Sequence, residues 1–387
     1  MHYTLHLTNA CNLACRYCYV RQDAATMTPE IVHAAIDLGA REQQRCGIIF
    51  FGGEPLLCRD LIEDAIAYGE ACQRQKPVKF HYKVTTNGLL LDDAFLQYTA
   101  DHEVFIALSH DGVRAAQDKN RVAKNGESTF DRLEAVAKNL LRYRPYAPVL
   151  MTVSWNTVPY YAESVAYLYA LGFRYLICSM DYSGLWDERS LDELRRQYHR
   201  LAAFYREKTL QEEKFYLSPF EVKISSHIHG PDYCAERCEL GKKQISVAPD
   251  GRLYPCVQFV GDAQYCIGDV WQGIDHEKRL ALYRLNETEK DSCAECAVKA
   301  RCNHHCACLN KQATGDFRQV SPVLCAHERI LLPIADKLAA SLFKRRDALF
   351  IQKQYNGLYP LLSLVEDRLT GDQQQAPPGR MPLNDGR

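Results

Sequence analysis

The sequence predicts an α/β protein with three parts: a partial, open (β/α)6 barrel, a cysteine-rich module and C-terminal helices. Three observations lead to this prediction. Strand-like and helix-like segments alternate through the first 215 residues or so, ten of the 17 cysteines lie within residues 234–325, and apolar residues recur at helical spacing after residue 326. Alternation of this kind indicates a parallel sheet. The predicted domains are 1–215, 216–330 and 331–370, followed by a polar, disordered tail over 371–387.

Six strands are predicted in the first part. Residues 3–8 alternate between apolar and polar, whereas residues 47–51 form a short apolar run. Thr28 followed by Pro29 marks the start of the first helix, because proline is tolerated at the first helical position. The predicted strands are 3–8, 47–51, 79–86, 103–109, 149–155 and 173–180, and the predicted helices are 29–45, 59–74, 92–101, 128–143 and 159–171.

Four unusual segments directly follow predicted strands: the cysteine loop at 11–18, Gly52-Gly53-Glu54, Asn87-Gly88 and Ser109. In open parallel sheets, ligands bind at the carboxyl ends of the strands. We therefore expect these four segments to converge on one rim of the barrel and to form its binding site.

The amino-acid composition argues against some classes of function. The 387 residues include 47 Lys and Arg against 48 Asp and Glu, a net charge of −1, which argues against a nucleic-acid binder because such proteins are normally basic. We expect no signal peptide and no membrane span, since neither a basic and apolar leader nor a long apolar run occurs. The expected location is the cytoplasm, where 17 cysteines indicate metal binding or catalysis rather than disulfides.

The first cysteine motif places Cys11, Cys15 and Cys18 within one short loop. This spacing favours a [4Fe–4S] cluster. Such clusters normally have four cysteine ligands, so three would leave one iron open to a substrate or cofactor. A structural zinc site is the alternative, but it usually has four ligands, and no fourth is close in the sequence.

The segment CNLACRYCY resembles the radical S-adenosylmethionine (radical SAM) enzymes. Three further segments agree with their motifs: GGEP from Gly52, TNG from Thr86 and the S-x-D-G pattern from Ser109. The resemblance covers residues 3 to about 180, and the combination is much more specific than any one element.

The resemblance implies a role for each residue. Cys11, Cys15 and Cys18 would ligate the cluster that binds SAM. Glu54 would pair with the methionyl ammonium, although a solvated loop position is the alternative for this carboxylate. Gly52 and Gly53 would let the backbone approach the cofactor closely, and Ser109 and Arg121 would contact the methionyl carboxylate. Tyr17 would lie near the adenine. Asn87 would either contact the ligand or form a turn. For Arg121 the alternative is an ordinary surface position, and Asp111 would orient its own loop.

Seven cysteines in the second part also have a regular spacing. The pattern is C-x12-G-x4-C from Cys238, C-x2-C-x5-C-x3-C from Cys293, and a last cysteine at Cys325. Between the first two, ISVAPDGRLYPC alternates around Asp250-Gly251, which predicts a β-hairpin. This arrangement resembles the SPASM domain, the auxiliary-cluster module of radical SAM enzymes that act on peptides and proteins.

The SPASM resemblance implies two auxiliary [4Fe–4S] clusters, and hence three clusters in all. Auxiliary cluster I would use Cys234, Cys238, Cys256 and Cys306. Auxiliary cluster II would use Cys293, Cys296, Cys302 and Cys325. In place of Cys234, the alternatives are Cys266, Cys308 or an iron left open for substrate. The six cysteines without a ligand role are interpreted as small buried hydrophobes: Cys46, Cys58, Cys72, Cys178, Cys266 and Cys308.

The resemblance also implies the chemistry. One electron from the reduced cluster cleaves SAM, and the resulting 5′-deoxyadenosyl radical abstracts a hydrogen atom from the substrate. Two substrate classes share this architecture: peptide maturases that install thioether or related crosslinks in ribosomally made peptides, and anaerobic sulfatase-maturing enzymes that form formylglycine from Cys or Ser. The second group places an Asp directly after the hairpin cysteine, where this chain has Val257. Asp181 and Asp262 are the candidate substitutes.

We therefore favour a peptide maturase over formylglycine formation, other SPASM chemistry such as epimerisation, or a non-catalytic iron–sulfur carrier. The expected partners are a Cys-containing peptide with a leader and an electron donor such as flavodoxin or ferredoxin. Because the barrel begins at residue 3, we expect no leader-binding domain before it, so leader recognition would need a separate protein or another surface. The C-terminal helices are expected to bury Ile330, Leu331, Ile334 and Leu338.

Overall fold

The computed structural model describes residues 1–230 and 238–371 and contains a nine-stranded sheet. Its strands are β1 (His2–Thr8), β2 (Arg45–Gly52), β3 (Lys79–Thr86), β4 (Phe105–Ser109), β5 (Pro148–Val153), β6 (Tyr175–Met180), β7 (Tyr216–Leu217), β8 (Gln244–Val247) and β9 (Leu253–Tyr254). They lie in the order β7-β6-β5-β4-β3-β2-β1-β8-β9. All neighbours are parallel except β8 and β9. A separate antiparallel pair joins β10 (Gly268–Asp269) and β11 (Gly273–Ile274).

Helices connect and follow the strands. In the barrel part they are α1 (Pro29–Glu42), α2 (Arg59–Gln75), α3 (Asp93–Asp101), α4 (Arg114–Asn120), α5 (Phe130–Tyr143), α6 (Tyr161–Leu171), α7 (Glu188–Leu210) and α8 (Ser218–His229). The later ones are α9 (His276–Glu287), α10 (Ala307–Thr314), α11 (Pro322–Lys344), α12 (Ala348–Tyr355) and α13 (Tyr359–Gly371). The predicted α/β class is confirmed, and each predicted strand and barrel helix is present within a few residues of its expected ends.

Strand β1 is buried on both faces, as parallel strands covered by helices usually are. Tyr3, Leu5 and Leu7 on one face are fully buried, and Gly39 of α1 lies against the Tyr3 ring. The opposite face carries Thr4 and His6, which are also buried. Helix α1 therefore covers the apolar face of β1, and the buried polar residues lie on the opposite face.

The predicted hairpin around Asp250-Gly251 is present, and Gly251 has the positive φ of 82° that such a turn favours. Its first strand, β8, also pairs in parallel with β1, with His2 opposite Gln244 and Leu5 opposite Val247. The cysteine-rich segment thus extends the barrel sheet directly at its β1 edge.

The C-terminal segment forms three helices, where the sequence predicted one or two. The expected face of α11 is buried at Ile330, Leu331, Ile334 and Leu338, and α11 packs against α7 and α8. Among residues 1–230 and 238–371, no helix is both long and apolar enough to cross a bilayer. The predicted tail over 371–387 lies almost entirely outside the described residues.

Candidate functional site

The loop that carries Cys11, Cys15 and Cys18 begins where β1 ends, at the carboxyl edge of the sheet. Backbone hydrogen bonds fasten it to the end of α4 and the residues that follow: the Ala14 amide donates to the carbonyl of Val122 at 2.9 Å, and the Arg16 amide donates to that of Asn120 at 3.0 Å. These bonds hold the middle of the loop, while the Cys18 side chain remains exposed.

The two glycines after β2 bring that strand end against the cysteine loop. Gly52 has a φ of 124°, and a Cβ there would lie 2.3 Å from the carbonyl oxygen of Thr8. A Cβ on Gly53 would lie 2.1 Å from the carbonyl oxygen of Ala10. Both approaches are to backbone atoms, which cannot move aside as a flexible side chain would. The missing side chains are therefore needed for loop packing, a requirement separate from the cofactor contact expected of them.

Glu54 is completely buried at this edge, so the solvated alternative is excluded. Its Oε1 accepts hydrogen bonds from the Thr86 hydroxyl at 2.7 Å and the Leu56 amide at 3.1 Å, and its Oε2 accepts one from the Asn87 amide at 2.8 Å. Burial raises the pKa of Glu54 to about 6, although these donors oppose the shift. A buried carboxylate in a fixed orientation is well suited to bind an ammonium group.

The Asn87 side chain stabilises the turn in which it lies and also contacts the cysteine loop. Its Oδ1 accepts a hydrogen bond from the Leu89 amide at 3.1 Å, as an Asx turn requires. Its Nδ2 donates to Asn12 Oδ1 at 2.7 Å and lies 3.8 Å from the Cys11 sulfur. The third strand end is thereby tied to the first thiol.

Asp111 and Arg121 form a buried ion pair, with Arg121 Nε 3.0 Å from Asp111 Oδ1. The Tyr17 hydroxyl donates to Asp111 Oδ2 at 2.5 Å, and the guanidinium lies 5.3 Å from the centre of the Tyr17 ring. Burial would lower the pKa of Arg121, but the Asp111 carboxylate, Tyr17 and Cys15 together outweigh it and raise that pKa above its ordinary value. Arg121 is only 8% exposed, so it is not an ordinary surface residue.

These features fit the groups that the resemblance implies. Three thiols on one loop provide the soft donors that an iron–sulfur cluster needs. The buried Glu54 carboxylate matches an ammonium, and Arg121 keeps N–H donors beyond its ion pair with which to bind a carboxylate. Ser109 ends β4 on the same rim, and its hydroxyl makes no hydrogen bond to the described residues.

The four cysteines expected in auxiliary cluster II lie together around the start of α11. The Cys325 thiol is close to those of Cys293 and Cys296, and that of Cys302 is close to Cys325. Arg329 also lies 3.9 Å from the Cys296 sulfur. In the described ranges no three Cys, His, Asp or Glu side chains converge on a point where a single metal ion would sit. A cluster differs in this respect, because each thiolate binds a different iron.

A second group of thiols lies where α10 begins and β9 ends. Cys238 lies near Cys306, and Cys256 lies near Cys308, so that each pair of thiols interacts electrostatically. The sulfurs of Cys306 and Cys308 are 3.5 Å apart. The expected ligand Cys234 lies outside the described residues.

The two candidate bases have different surroundings. Asp181 follows β6 on the rim and is 9% exposed, with its Oδ1 accepting a hydrogen bond from the Ser183 hydroxyl at 2.6 Å. Asp262 lies in the cysteine-rich part and forms an ion pair with Lys311 at 2.8 Å. Burial would raise the pKa of Asp262, but Lys311 and Gln264 outweigh burial and lower it. Asp262 is therefore a weak base.

Sequence reasoning missed several residues of this region. Asn12 pairs with Asn87, and Tyr19 lies near enough to Cys18, Cys256 and Cys308 to interact electrostatically with their thiols. The position of Tyr19 immediately after the third cysteine was the available signal. The proximity of Tyr19 to Cys256 could not be predicted from the sequence, because it depends on how β8 joins the sheet.

Comparison with known proteins agrees with this geometry. Residues 5–160 match the radical SAM superfamily. The serine-type anaerobic sulfatase-maturating enzyme of Klebsiella aerogenes is 26% identical over 346 residues, which are 81% of this chain and 83% of that protein. The PqqA peptide cyclase of Gluconobacter oxydans is 24% identical, over 88% of this chain and 96% of that protein.

A solved structure has the same fold. Native anSMEcpe with bound AdoMet and Kp18Cys peptide is similar with a TM-score of 0.77 at 20% identity, covering 89% of this chain and 100% of that one.

Proposed function

The chain is a radical SAM enzyme related to the anaerobic sulfatase-maturating enzymes and to PqqA peptide cyclase, and we propose that it installs a thioether or related crosslink in a ribosomally made peptide. The relatives support a peptide or protein substrate, because one is a peptide cyclase and the similar anSMEcpe structure holds a bound peptide.

When bound, SAM and its cluster supply a carbon radical that removes a hydrogen atom from the substrate. The chain's own residues position and shield it. Cys11, Cys15 and Cys18 would hold the cluster, the buried Glu54 would bind the methionyl ammonium, and Arg121 would hold the carboxylate while Asp111 fixes its orientation. The buried ion pair keeps the guanidinium in place before the cofactor arrives, which lowers the entropy cost of binding.

Crosslinking removes two hydrogens from the peptide. One would leave as a hydrogen atom to the 5′-deoxyadenosyl group that SAM supplies. The other would leave as a proton from a thiol or similar group, and an auxiliary cluster held by cysteines of the second motif would take up the remaining electron. Asp181, on the rim at the end of β6, is our candidate for the proton acceptor. A reductant such as flavodoxin or ferredoxin would supply the electron that starts each turnover, and a separate protein would recognise a leader.

The preference for crosslinking is carried by Val257. Formylglycine formation in the sulfatase-maturing group uses an Asp at this position, and Val257 has no ionisable group. The nearby Asp262 is bound to Lys311, so it does not replace that base. Without an Asp at position 257, formylglycine formation would depend on Asp181 as its base, whereas hydrogen abstraction needs no base at that position.

The test uses anaerobically reconstituted protein with SAM and a strong reductant. One substrate is a Cys-containing precursor peptide encoded beside the gene, and the other is a sulfatase peptide with Cys or Ser at the modified position. We expect 5′-deoxyadenosine and a precursor peptide lighter by two hydrogens, with fragment masses that locate a crosslink. The Cys15→Ala variant is the control, and it should form no 5′-deoxyadenosine.

Formylglycine formation is the second candidate, because the sulfatase-maturating relative aligns over most of this chain. An aldehyde in the sulfatase peptide, detected by hydrazide labelling, together with an unmodified precursor peptide, would reverse our choice. If neither peptide changes although 5′-deoxyadenosine forms, the crosslinking proposal is rejected for that precursor.

A further inference from the structure

We propose that Lys83, on the side of the sheet away from helices α1 and α2, binds a carboxylate of the peptide substrate. This inference rests on the proposed function only in that it needs a peptide substrate. It is independent of the bond formed and of the cysteine-rich module.

The side chains around Lys83 show which way it points. On the helix-covered side, Cys46 of β2 lies beside Gly39 of α1, and Tyr82 of β3 lies beside Gly69 of α2. Successive side chains of a strand point to opposite faces of the sheet. Lys83 follows Tyr82 directly, so it points away from these helices. It is partly exposed there, whereas Tyr82 is buried.

Lys83 belongs to a row of paired residues that crosses five strands. Ser246 of β8 lies opposite Thr4 of β1, Thr4 opposite Ile49 of β2, Ile49 opposite Lys83, and Lys83 opposite Phe105 of β4. Paired residues share one face of a sheet, which we call the open face. Phe105 is 64% exposed and Ile49 is partly exposed. The row therefore combines an ammonium group with accessible apolar surface.

No anion of the described chain neutralises Lys83. Within residues 1–230 and 238–371, its ammonium makes no hydrogen bond and no ion pair. None of the nine strands of the described sheet contains an Asp or Glu. Burial lowers the pKa of Lys83, and no carboxylate of the described residues opposes this shift. A partly buried cation without a counter-ion is unfavourable, and a carboxylate of a ligand would remove that cost.

Buried hydroxyl groups of the same row also lack partners. Thr4 is 2% exposed and Ser246 is fully buried, and neither hydroxyl oxygen has a hydrogen-bond partner among the described residues. The same holds for Nε2 of His6, which lies on the open face two residues further along β1 and is 1% exposed. Buried polar groups are normally hydrogen-bonded. Two strand spacings, about 10 Å, separate Thr4 from Lys83, and an extended segment of about three residues spans that distance.

The open face also leads to the residues expected to hold SAM. Phe105, Ala107 and Ser109 alternate along β4 and therefore share one face. Ser109 ends that strand at the rim. Three residues, or about 10 Å, separate Lys83 from Thr86 at the end of β3. A carboxylate bound to Lys83 would thus belong to a peptide residue close in sequence to the one that is modified, or to a C-terminus at the same distance.

The first test measures the protection of Lys83 in wild-type holoprotein. Acetylation by sulfo-NHS-acetate is followed by mass spectrometry, without peptide and with the precursor or the sulfatase peptide of the activity test. Lys83 should react in the free protein, because its lowered pKa leaves more neutral amine. At least one peptide should slow this reaction by about tenfold or more. Lys79 is the control, since it is exposed at the start of the same strand and should react equally in all samples.

Modified peptides then identify the carboxylate. In one form, Asp and Glu near the modified position are replaced by Asn and Gln, and in another the C-terminus is amidated. Loss of protection with the first form alone identifies an acidic side chain, and loss with the second alone identifies the C-terminal carboxylate. Protection that survives both changes together overturns the proposal. So does the absence of protection by either native peptide, or an unreactive Lys83 in the free protein.

A second measurement uses variants and needs no turnover. Fluorescence anisotropy gives the Kd of the labelled, leaderless peptide for wild type, Lys83→Met, Lys83→Arg and the control Lys79→Met, all with equal iron content. We expect Lys83→Met to raise Kd by about ten- to hundredfold, and the other two variants to stay close to wild type. Equal affinities of Lys83→Met and wild type, or an equal loss in Lys79→Met, overturn the proposal. Lys83-dependent binding without any crosslink would instead reject the proposed function alone.

Discussion

At the residue scale, the rim of the barrel is held together by single side chains that each serve two strand ends. Asp111 accepts hydrogen bonds from Tyr17 on the cysteine loop and from the Thr152 amide on β5, and it pairs with Arg121. Glu54 in the same way joins the β2 and β3 ends. These carboxylates are buried, so the loss of one would leave buried donors without partners, which costs about 1–3 kcal/mol for each.

His110, beside Asp111, makes stability depend on pH. The side chain is fully buried, its Nδ1 accepts a hydrogen bond from the Gly112 amide at 3.1 Å, and burial together with the Arg121 charge lowers its pKa from 6.5 to about 3. Below pH 6.5 the unfolded chain binds a proton that the folded chain does not. Stability is therefore lost as the pH falls from 6.5 towards 3.

We predict that His110→Asn flattens this dependence. Between pH 7.5 and 5.5 the wild type should lose about 1 kcal/mol more free energy of unfolding than the variant, measured by urea denaturation of anaerobic holoprotein. Buried His6 and His327, with pKa values lowered to about 4, contribute equally to both proteins. The exposed His276→Asn is the control. An equal pH slope in His110→Asn and wild type would show that His110 titrates normally.

At the scale of secondary-structure elements, some helices could be predicted from the sequence and others could not. Helix α1 begins at its Thr28-Pro29 signal, as predicted. Of the apolar positions expected to face the core, Ala35 and Leu38 are buried, whereas Ile31 and Ala34 are only partly buried. Helix α4 was not predicted, because its seven residues carry too short a pattern. Yet α4 leads into the segment that fastens the cysteine loop, so its place depends on packing.

The close approach of two loops yields a second prediction. Gly53→Ala would place a Cβ against the Ala10 carbonyl and push the β2 end away from the cysteine loop. The three proposed clusters would hold about twelve irons. We expect loss of about four of them, those of the SAM cluster, and no 5′-deoxyadenosine, while the signals of the proposed auxiliary clusters persist. Gly357→Ala is the control, because nothing lies within 4 Å of a Cβ there. Full iron content in Gly53→Ala would contradict the prediction, because it would mean that the cluster still binds when the end of β2 moves away from the cysteine loop.

At the scale of the whole molecule, two contacts among the described residues illustrate how the barrel joins the later part of the chain. One is the parallel pairing of β1 with β8. The other is the packing of α8 on α11, where Lys223 Nζ lies 2.8 Å from Glu328 Oε2 and both side chains are at most 6% exposed. Glu328 also accepts a hydrogen bond from the Asn303 amide, next to Cys302.

Removal of one charge from this buried ion pair should destabilise the folded protein. Glu328→Gln leaves the Lys223 ammonium buried without its partner charge, and we expect the free energy of unfolding to fall by about 3–5 kcal/mol. The double variant Lys223→Met with Glu328→Leu should recover most of that loss, since neither charge is then buried. Urea denaturation of the holoproteins measures both. Equal stability of Glu328→Gln and wild type would indicate that water reaches the ammonium.

The sequence by itself determined the α/β class, the position of the motifs at the ends of strands and the two cysteine patterns. These features are local: alternation, helical spacing, turn residues and cysteine intervals are each written within a few residues. The tertiary structure decided which groups meet. The Asp111–Arg121 pair and the Lys223–Glu328 pair join residues that lie far apart in the sequence. Their existence depends on how strands align and helices pack. No interval along the chain encodes that alignment, because it results from the burial of the whole core.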